Sequence, residues 1–341
     1  MNCNEAKDLV VKAGFELVNS GLIARTWGNV SCRIDEESFA ITPSGRNYLT
    51  LTADDIVQVK LRDLSYKGSV KPSSEKGIHA EVYRRFKGIN FVIHTHQENA
   101  SAISTARLDE IPLSETKPMF SKEIFCAKYA LPGTKSLRLN VAEALKNTKS
   151  NAVILKNHGA ICYGTDYKNT FKTAHDLEDI CRDIIIDKAG RCGCITINLQ
   201  TPMFPMLSEI KQTVLEKKGG YVLLNSDPDV IKYSSLIKPL KPFLDDFAQI
   251  IGLKAEIKEK NKHVILKALR HSSAVFIKGS GALCWGKDQK DAEAVSMILR
   301  KNCKAYFTAS LFGKPRPIKP FECALMRFVY LKKYSRLENS K

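Results

Sequence analysis

Apolar side chains at Leu9, Val10, Ala13, Leu17 and Val18 recur with a helical period across residues 5–20, and Gly21 stands where such a helix ends. Shorter runs follow. Residues 30–34 and 38–41 read as strands closed by Thr42-Pro43-Ser44-Gly45, whose proline and glycine favour a tight turn, and residues 56–61 read as a third. Pro72-Ser73-Ser74-Glu75 precedes apolar Ile78, Val82, Tyr83 and Phe86, which predicts a helix with the serines at its start and Glu75 in its first turn. Residues 91–96 form a strand ending in two histidines, residues 153–155 a buried strand leading to Asn157-His158-Gly159, and residues 168–187 a further helix. Strands and helices interleave throughout. That order predicts an α/β fold with helices on the faces of a sheet.

The pattern also repeats. Residues 150–164 (SNAVILKNHGAICYG) return as residues 272–286 (SSAVFIKGSGALCWG), with Ser280 where the first copy has His158. Residues 220–226 stand in the same way against residues 90–96, so that Leu224 and Ser226 replace His94 and His96. Counting back further sets Pro205, loosely, against Glu75. An internal duplication follows, and with 341 residues it predicts two domains, 1–200 and 201–341. The glycine-rich stretch at 278–286 lacks the spacing of a dinucleotide fingerprint, and its kinship to the first-half loop accounts for it.

Composition narrows the class. No run approaches the roughly 18 apolar residues of a bilayer span, and the first residues do not have the form of a secretion signal. A soluble, cytoplasmic protein is expected. Ten cysteines scattered through a chain of this size suit reduced core thiols, and Cys192-Gly193-Cys194, which lacks a matching second pair, is read as structural. The net charge of +17 is concentrated after residue 200, where Lys and Arg are twice as numerous as Asp and Glu. Such a field can draw in phosphorylated metabolites; without a basic-aromatic recognition motif it does not indicate a nucleic-acid partner.

Candidate chemistry lies in the first half. Side chains two apart on a strand share a face, so His94 and His96 can aim two imidazoles at one ion. His158, just beyond a separate buried strand, can supply a third, and Glu75 a carboxylate ligand or a base beside the ion. Three imidazoles and one carboxylate match the borderline softness of zinc. Glycines let backbone N–H groups approach an anion, hydroxyls donate to it, and a helix beginning after Ser74 turns its positive end the same way. Trp27 is read as packing, and His79, His175, His263 and His271 as structural or surface residues.

Taken in order, Thr26-Trp27-Gly28-Asn29-Val30-Ser31, Thr42-Pro43-Ser44-Gly45, Pro72-Ser73-Ser74-Glu75, His94-Thr95-His96 and Asn157-His158-Gly159 resemble the motifs of the class II aldolase/adducin family. The resemblance covers residues 5 to about 195. It implies a three-layer α/β/α sandwich with a central mixed, largely antiparallel sheet, here tandem-duplicated, with 201–341 a degenerate repeat lacking the metal ligands. One Zn²⁺ per chain would be held by Glu75, His94, His96 and His158. Gly28, Asn29, Ser44, Gly45, Ser73 and Ser74 would surround a substrate phosphate, and Glu75 would be the catalytic acid/base of a sugar-phosphate aldolase. Glutamate at position 75 favours this branch over the pentulose-phosphate 4-epimerases, which usually carry aspartate there. The same motifs are also compatible with dehydratase chemistry or with a noncatalytic, adducin-like scaffold. Family aldolases place a tyrosine after an Ile-Pro segment; here Ile111-Pro112 is followed by Thr116 at that place. Family active sites also lie between subunits, so a homo-oligomer is expected, with the second half as a built-in pseudo-neighbour.

Overall fold

A computed structural model describes residues 1–23, 27–113, 117–191 and 204–334, with the side chains of 204–207 and 333–334 left aside. The chain forms two compact units, Met1–Ile186 and Asp187–Lys333. Thr26, Thr116 and Cys192-Gly193-Cys194 lie outside the described residues.

The first unit begins with helix α1 (Cys3–Asn19), capped by Asn2 and Glu5 holding one another's backbone N–H groups. Gly21 follows it at φ 72°, the left-handed geometry expected just past a helix end. Strands β1 (Asn29–Arg33), β2 (Ser38–Ile41) and β3 (Val57–Lys60) come next, then α2 (Lys76–Arg85), β4 (Phe91–Thr95), α3 (Glu98–Ile103), β5 (Glu110–Pro112), β6 (Glu123–Ala127), α4 (Lys135–Asn147), β7 (Ala152–Leu155), β8 (Gly159–Gly164) and α5 (Tyr167–Arg191). The eight strands form one sheet in the order β3-β2-β1-β4-β8-β7-β6-β5. Neighbours are antiparallel except β6 and β7, so the sheet is mixed and largely antiparallel as expected.

Strand alternation sorts the side chains into two layers. On one face Val59, Val92, Val153, Leu155 and Ile161 meet Ile78, Val82 and Tyr83 of α2 and Leu137, Val141 and Leu145 of α4. The opposite face carries α1 against β1 and β2 and α3 against β7 and β8, while Phe91 meets Tyr167 of α5 edge-on. Three layers result. Burying side chains of this size contributes about 1.5–3 kcal/mol each, which makes the two apolar layers the main support of the sheet.

The second unit contains α6 (Phe204–Lys218), β9 (Tyr221–Asn225), α7 (Pro228–Ser234), α8 (Asp245–Ile250), β10 (Ile257–Lys258), α9 (Lys262–Ala268), β11 (Ala274–Ile277), β12 (Gly281–Gly286), α10 (Gln289–Leu311) and α11 (Pro320–Val329). Its sheet runs β10-β11-β12-β9. This is the β6-β7-β8-β4 half of the first sheet, with the same directions and register: Ala152 faces Cys162 as Ala274 faces Cys284, and Phe91 faces Gly164 as Tyr221 faces Gly286. The parallel pair also recurs, Cys126 with Ile154 and Ile257 with Phe276. Among the described residues the second unit has counterparts of β4, β6, β7 and β8 and none of β1, β2, β3 or β5, so the repeat is a partial one. Pro205, set loosely against Glu75, falls at the start of α6, where side chains lie outside the described residues.

Among the described residues the free thiols of Cys32, Cys126, Cys162, Cys181, Cys284, Cys303 and Cys323 are buried. No described helix is long and apolar enough to cross a membrane.

Gly159 opens β8 where a Cβ would sit 2.1 Å from the Thr95 carbonyl oxygen. Backbone cannot yield there without breaking the β4–β8 ladder. Gly159→Ala is therefore expected to cost about 2 kcal/mol or more, read as the midpoint of urea unfolding, whereas Gly88→Ala, which meets open space, should stay within about 0.5 kcal/mol.

Candidate metal centre and active site

His94 is the fourth residue of β4 and His96 lies one residue past its end, so the strand period sends both imidazoles to the α2 face. His158 reaches the same point from the turn between β7 and β8, where Asn157 adopts a left-handed φ of 58°. The His94 Nε2 lies 3.0 Å from His96 Nε2 and 2.8 Å from His158 Nε2. Sequence spacing and fold agree: the three imidazoles meet.

Glu75 joins them from the start of α2. It occupies the N-cap position rather than the first turn, and its side chain makes no capping bond. Instead its Oε2 lies 3.3 Å from His94 Nε2 and its Oε1 3.4 Å from His158 Nε2. His94, His158 and Glu75 are buried, and His96 is partly exposed.

The protonation pattern shows what this cluster suits. His94 Nδ1 donates to the Ala160 carbonyl at 2.9 Å, which leaves a lone pair on Nε2 in the neutral ring. That lone pair faces two other imidazole nitrogens and a carboxylate oxygen. Electron-rich atoms gathered in a buried place repel one another unless a cation sits among them, and an imidazole held by a backbone carbonyl through its other nitrogen is the usual support of a metal ligand. The three histidines offer ligand atoms within 4.8 Å of one another, so this donor set fits a divalent metal ion with nitrogen and oxygen ligands.

The residues expected around a phosphate border this cluster to different degrees. Asn29 pairs with His94 across β1 and β4, and its Nδ2 donates to Glu75 Oε2 at 3.2 Å. Gly28 has φ 121°, and a Cβ there would stand 2.6 Å from the His94 carbonyl oxygen, so only glycine allows this approach. Ser73 Oγ accepts the Glu75 backbone N–H at 3.2 Å, while Ser74 is exposed and its Cβ and Oγ lie 3.2 Å from where a Cβ of Gly133 would be. Ser44 and Gly45 are partly exposed, and Ser44 N donates to the Lys71 carbonyl, tying the Thr42–Gly45 turn to the segment before α2. The Tyr48 hydroxyl, not anticipated from sequence, donates to the Gly28 carbonyl at 2.6 Å and lies 3.2 Å from Thr42 Oγ1, so it ties the two loops together.

Of the two readings given for His79, structural or surface, the first holds. It is fully buried, its Nε2 contacts Asn29 Oδ1, and its Nδ1 lies 2.7 Å from Ser31 Oγ. Ser31 Oγ is in turn 2.8 Å from the Tyr83 hydroxyl. Burial, with His94 nearby, holds the His79 pKa well below its usual value, so the ring is neutral. A signal for this row was present: Glu75, His79 and Tyr83 follow one another at i, i+4 and i+8, and Asn29 and Ser31 are two apart on a strand. His175, His263 and His271 are exposed.

A sequence model of the Class II Aldolase and Adducin N-terminal domain matches residues 8–185. The chain belongs to the class II aldolase/adducin family. It is 31% identical over 179 residues to a 5-deoxy-D-ribulose 1-phosphate aldolase of Bacillus thuringiensis serovar kurstaki, a match covering 52% of this chain and 83% of that protein. A solved structure of an L-fuculose 1-phosphate aldolase superposes with a TM-score of 0.50 at 29% identity, covering 54% of this chain and 86% of the other. A third, from Thermus thermophilus, is an L-fuculose-1-phosphate aldolase at 26% identity and a TM-score of 0.46, covering 56% and 98%. The first unit is thus a class II aldolase domain, an enzyme of the aldehyde-lyase class.

A ligand that binds only the folded state raises apparent stability by mass action. Zn²⁺ or Co²⁺ at about 100 times its dissociation constant should therefore stabilise the protein by about 2.7 kcal/mol in thermal unfolding. His158→Ala should abolish that increment; Ser280→Ala, at the corresponding place in the second unit, should leave it intact.

Proposed function

We propose that this protein is a zinc-dependent sugar-phosphate aldolase that cleaves a ketose 1-phosphate to dihydroxyacetone phosphate and an aldehyde. The observation that carries the reading is the meeting of His94, His96, His158 and Glu75 at one buried point beside Gly28, Asn29 and Ser73, in a domain of this family. The two relatives with the names given above act, by those names, on sugar 1-phosphates.

In this reading His94, His96, His158 and Glu75 hold Zn²⁺, whose borderline softness suits three imidazoles and a carboxylate. When bound, the ion supplies a Lewis acid that polarises the substrate carbonyl. Gly28, Asn29, Ser44, Gly45, Ser73 and Ser74 hold the phosphate through N–H and O–H donors, and the positive end of α2, which begins at Lys76, faces the same region. As the carbon-carbon bond breaks, its electron pair remains with the ketone fragment. Glu75 passes a proton taken from water to that carbon, and the aldehyde fragment loses its hydroxyl proton to water, so the carboxylate ends as it began and the cleavage balances.

The second unit is read as a degenerate copy without catalysis. Leu224, Ser226 and Ser280 stand in register with His94, His96 and His158, and none is a ligand for zinc in the manner of imidazole. The cytoplasmic location and homo-oligomeric state expected from the sequence remain part of this proposal.

Glu75→Gln keeps an oxygen ligand and removes the acid/base. It should retain zinc in metal analysis while retro-aldol turnover, screened over ketose 1-phosphates, falls by about 10²–10⁴-fold. Full turnover in that variant would defeat the assignment, and tight zinc without cleavage in the parent would move the reading to epimerase or dehydratase chemistry.

A further inference from the structure

We propose that His79, Ser31 and Tyr83 form a buried hydrogen-bond relay that fixes which end of the Asn29 amide faces Glu75, and that His79 is thereby a positioning residue for the active-site carboxylate. The inference rests on the reading of Glu75 given above.

The direction of every bond in this row follows from its last member. An ionised carboxylate only accepts, so the group that meets Glu75 Oε2 must be the Asn29 amide nitrogen, as the 3.2 Å contact has it. Asn29 Oδ1 then needs a donor, and the atom against it is His79 Nε2, which must carry the proton. In a neutral ring the other nitrogen, Nδ1, is an acceptor, and the Ser31 hydroxyl at 2.7 Å donates to it. Ser31 has a single proton, so its remaining contact, the Tyr83 hydroxyl at 2.8 Å, must donate. One polarity runs through all five residues, from phenol to carboxylate.

Two elements build this row. Glu75, His79 and Tyr83 follow one face of α2 at successive intervals of four, and Asn29, Ser31 and Arg33 follow one face of β1 at intervals of two. Arg33 closes the far end: its guanidinium stacks over the Tyr83 ring at 4.7 Å and donates to the carbonyls of Tyr83, Phe86 and Ile89. Ser31, His79 and Tyr83 have no exposed surface. A polar row this deep persists only when its donors and acceptors match, because an unmatched buried group costs about 1–3 kcal/mol.

Without a donor at its oxygen, the Asn29 amide can rotate and turn that oxygen toward Glu75, where it would repel the carboxylate. The same nitrogen has a second hydrogen, so the orientation set by His79 also leaves a donor for a substrate anion. The relay thus holds one amide nitrogen toward both negative groups of the site.

The test has two arms. In protein labelled with ¹⁵N-histidine, long-range ¹H–¹⁵N correlation should show His79 as the Nε2–H tautomer, with and without Zn²⁺; the Nδ1–H tautomer would overturn the proposal. This arm stands whether or not the protein is an aldolase. In the second arm, zinc affinity is measured by chelator competition in His79→Leu, His79→Gln, Ser31→Ala and Tyr83→Phe. His79→Leu should weaken zinc about 10-fold or more, as expected when a partner of a metal ligand is lost. His79→Gln, which keeps an amide N–H for Asn29 Oδ1, should stay within about threefold of the parent. Equal losses in the two variants would assign His79 to packing and overturn the relay. Should His79→Leu fail to fold, Ser31→Ala decides: loss of the Nε2–H tautomer supports the relay, and an unchanged tautomer with unchanged zinc affinity overturns it. Absence of retro-aldol cleavage in the parent would sink the aldolase reading and leave the tautomer result standing.

Discussion

The lone pair on His94 Nε2 is the constraint on which the site depends. The Ala160 carbonyl takes the proton on the other ring nitrogen, and the pair on Nε2 then points at His96, His158 and Glu75 within 2.8–3.3 Å. Imidazole nitrogens and a carboxylate oxygen converge there, a set of donors suited to a positive ion. The sheet holds the repelling groups together through strand pairing that is independent of the ion: β1, β4 and β8 lie side by side, and Gly28 and Gly159 permit backbone approaches that any Cβ would obstruct. The scaffold thus holds the ligand atoms together before any ion arrives.

The two units separate that scaffold from its chemistry. Ala152 to Leu155 against β8 and Ala274 to Ile277 against β12 share a register, Asn157 and Gly279 both take left-handed backbone, and Gly159 and Gly281 both press against a carbonyl, of Thr95 and of Asn225. Even a small bond survives, from Asn157 N to the Ser104 carbonyl and from Gly279 N to the Ser234 carbonyl. What the second unit lacks, among the described residues, is β1 with its neighbours, and with β1 goes the strand face that presents Asn29 and Ser31 to α2. Loss of the histidines and loss of the supporting strand therefore go together: a carboxylate at the head of α6 would have no amide to hold it.

Much of the fold was legible because its signals are local. Strand positions and the length of α5 follow from hydrophobic runs, and His94 with His96 follows from a period of two. His158 was legible by a different route, through a repeat whose second copy had lost the histidine. Glu75 entered as a carboxylate at a predicted helix start, and the resemblance supplied its link to residues 19 and 21 positions away, which no local pattern gives. The relay was missed although its residues were in view. Tyr83 was counted among the apolar positions of α2 and His79 was set aside, because reading either as polar machinery requires knowing that α2 lies over β1. The same limit hid the truncation of the second unit. Matching strands announce themselves in a sequence, but the absence of four strands of the larger sheet is visible only in the pairing.

Carboxylate and cation sites are usually described from the ion outward, yet here the more informative direction is inward from the core. Glu75 is placed at a helix N-cap without serving as a cap, so the helix gains nothing from its side chain. Its position is set by two opposed demands, the metal cluster on one side and the Asn29 amide on the other. In the proposed reaction Glu75 leaves the ion and returns to it, which calls for a second resting place of comparable polarity. An amide nitrogen fixed through three buried hydrogen bonds provides one, and it does so without a competing positive charge that would hold the carboxylate permanently away. The neutral character of His79 is essential to that balance: burial keeps the ring uncharged, so it can orient Asn29 without attracting Glu75 itself.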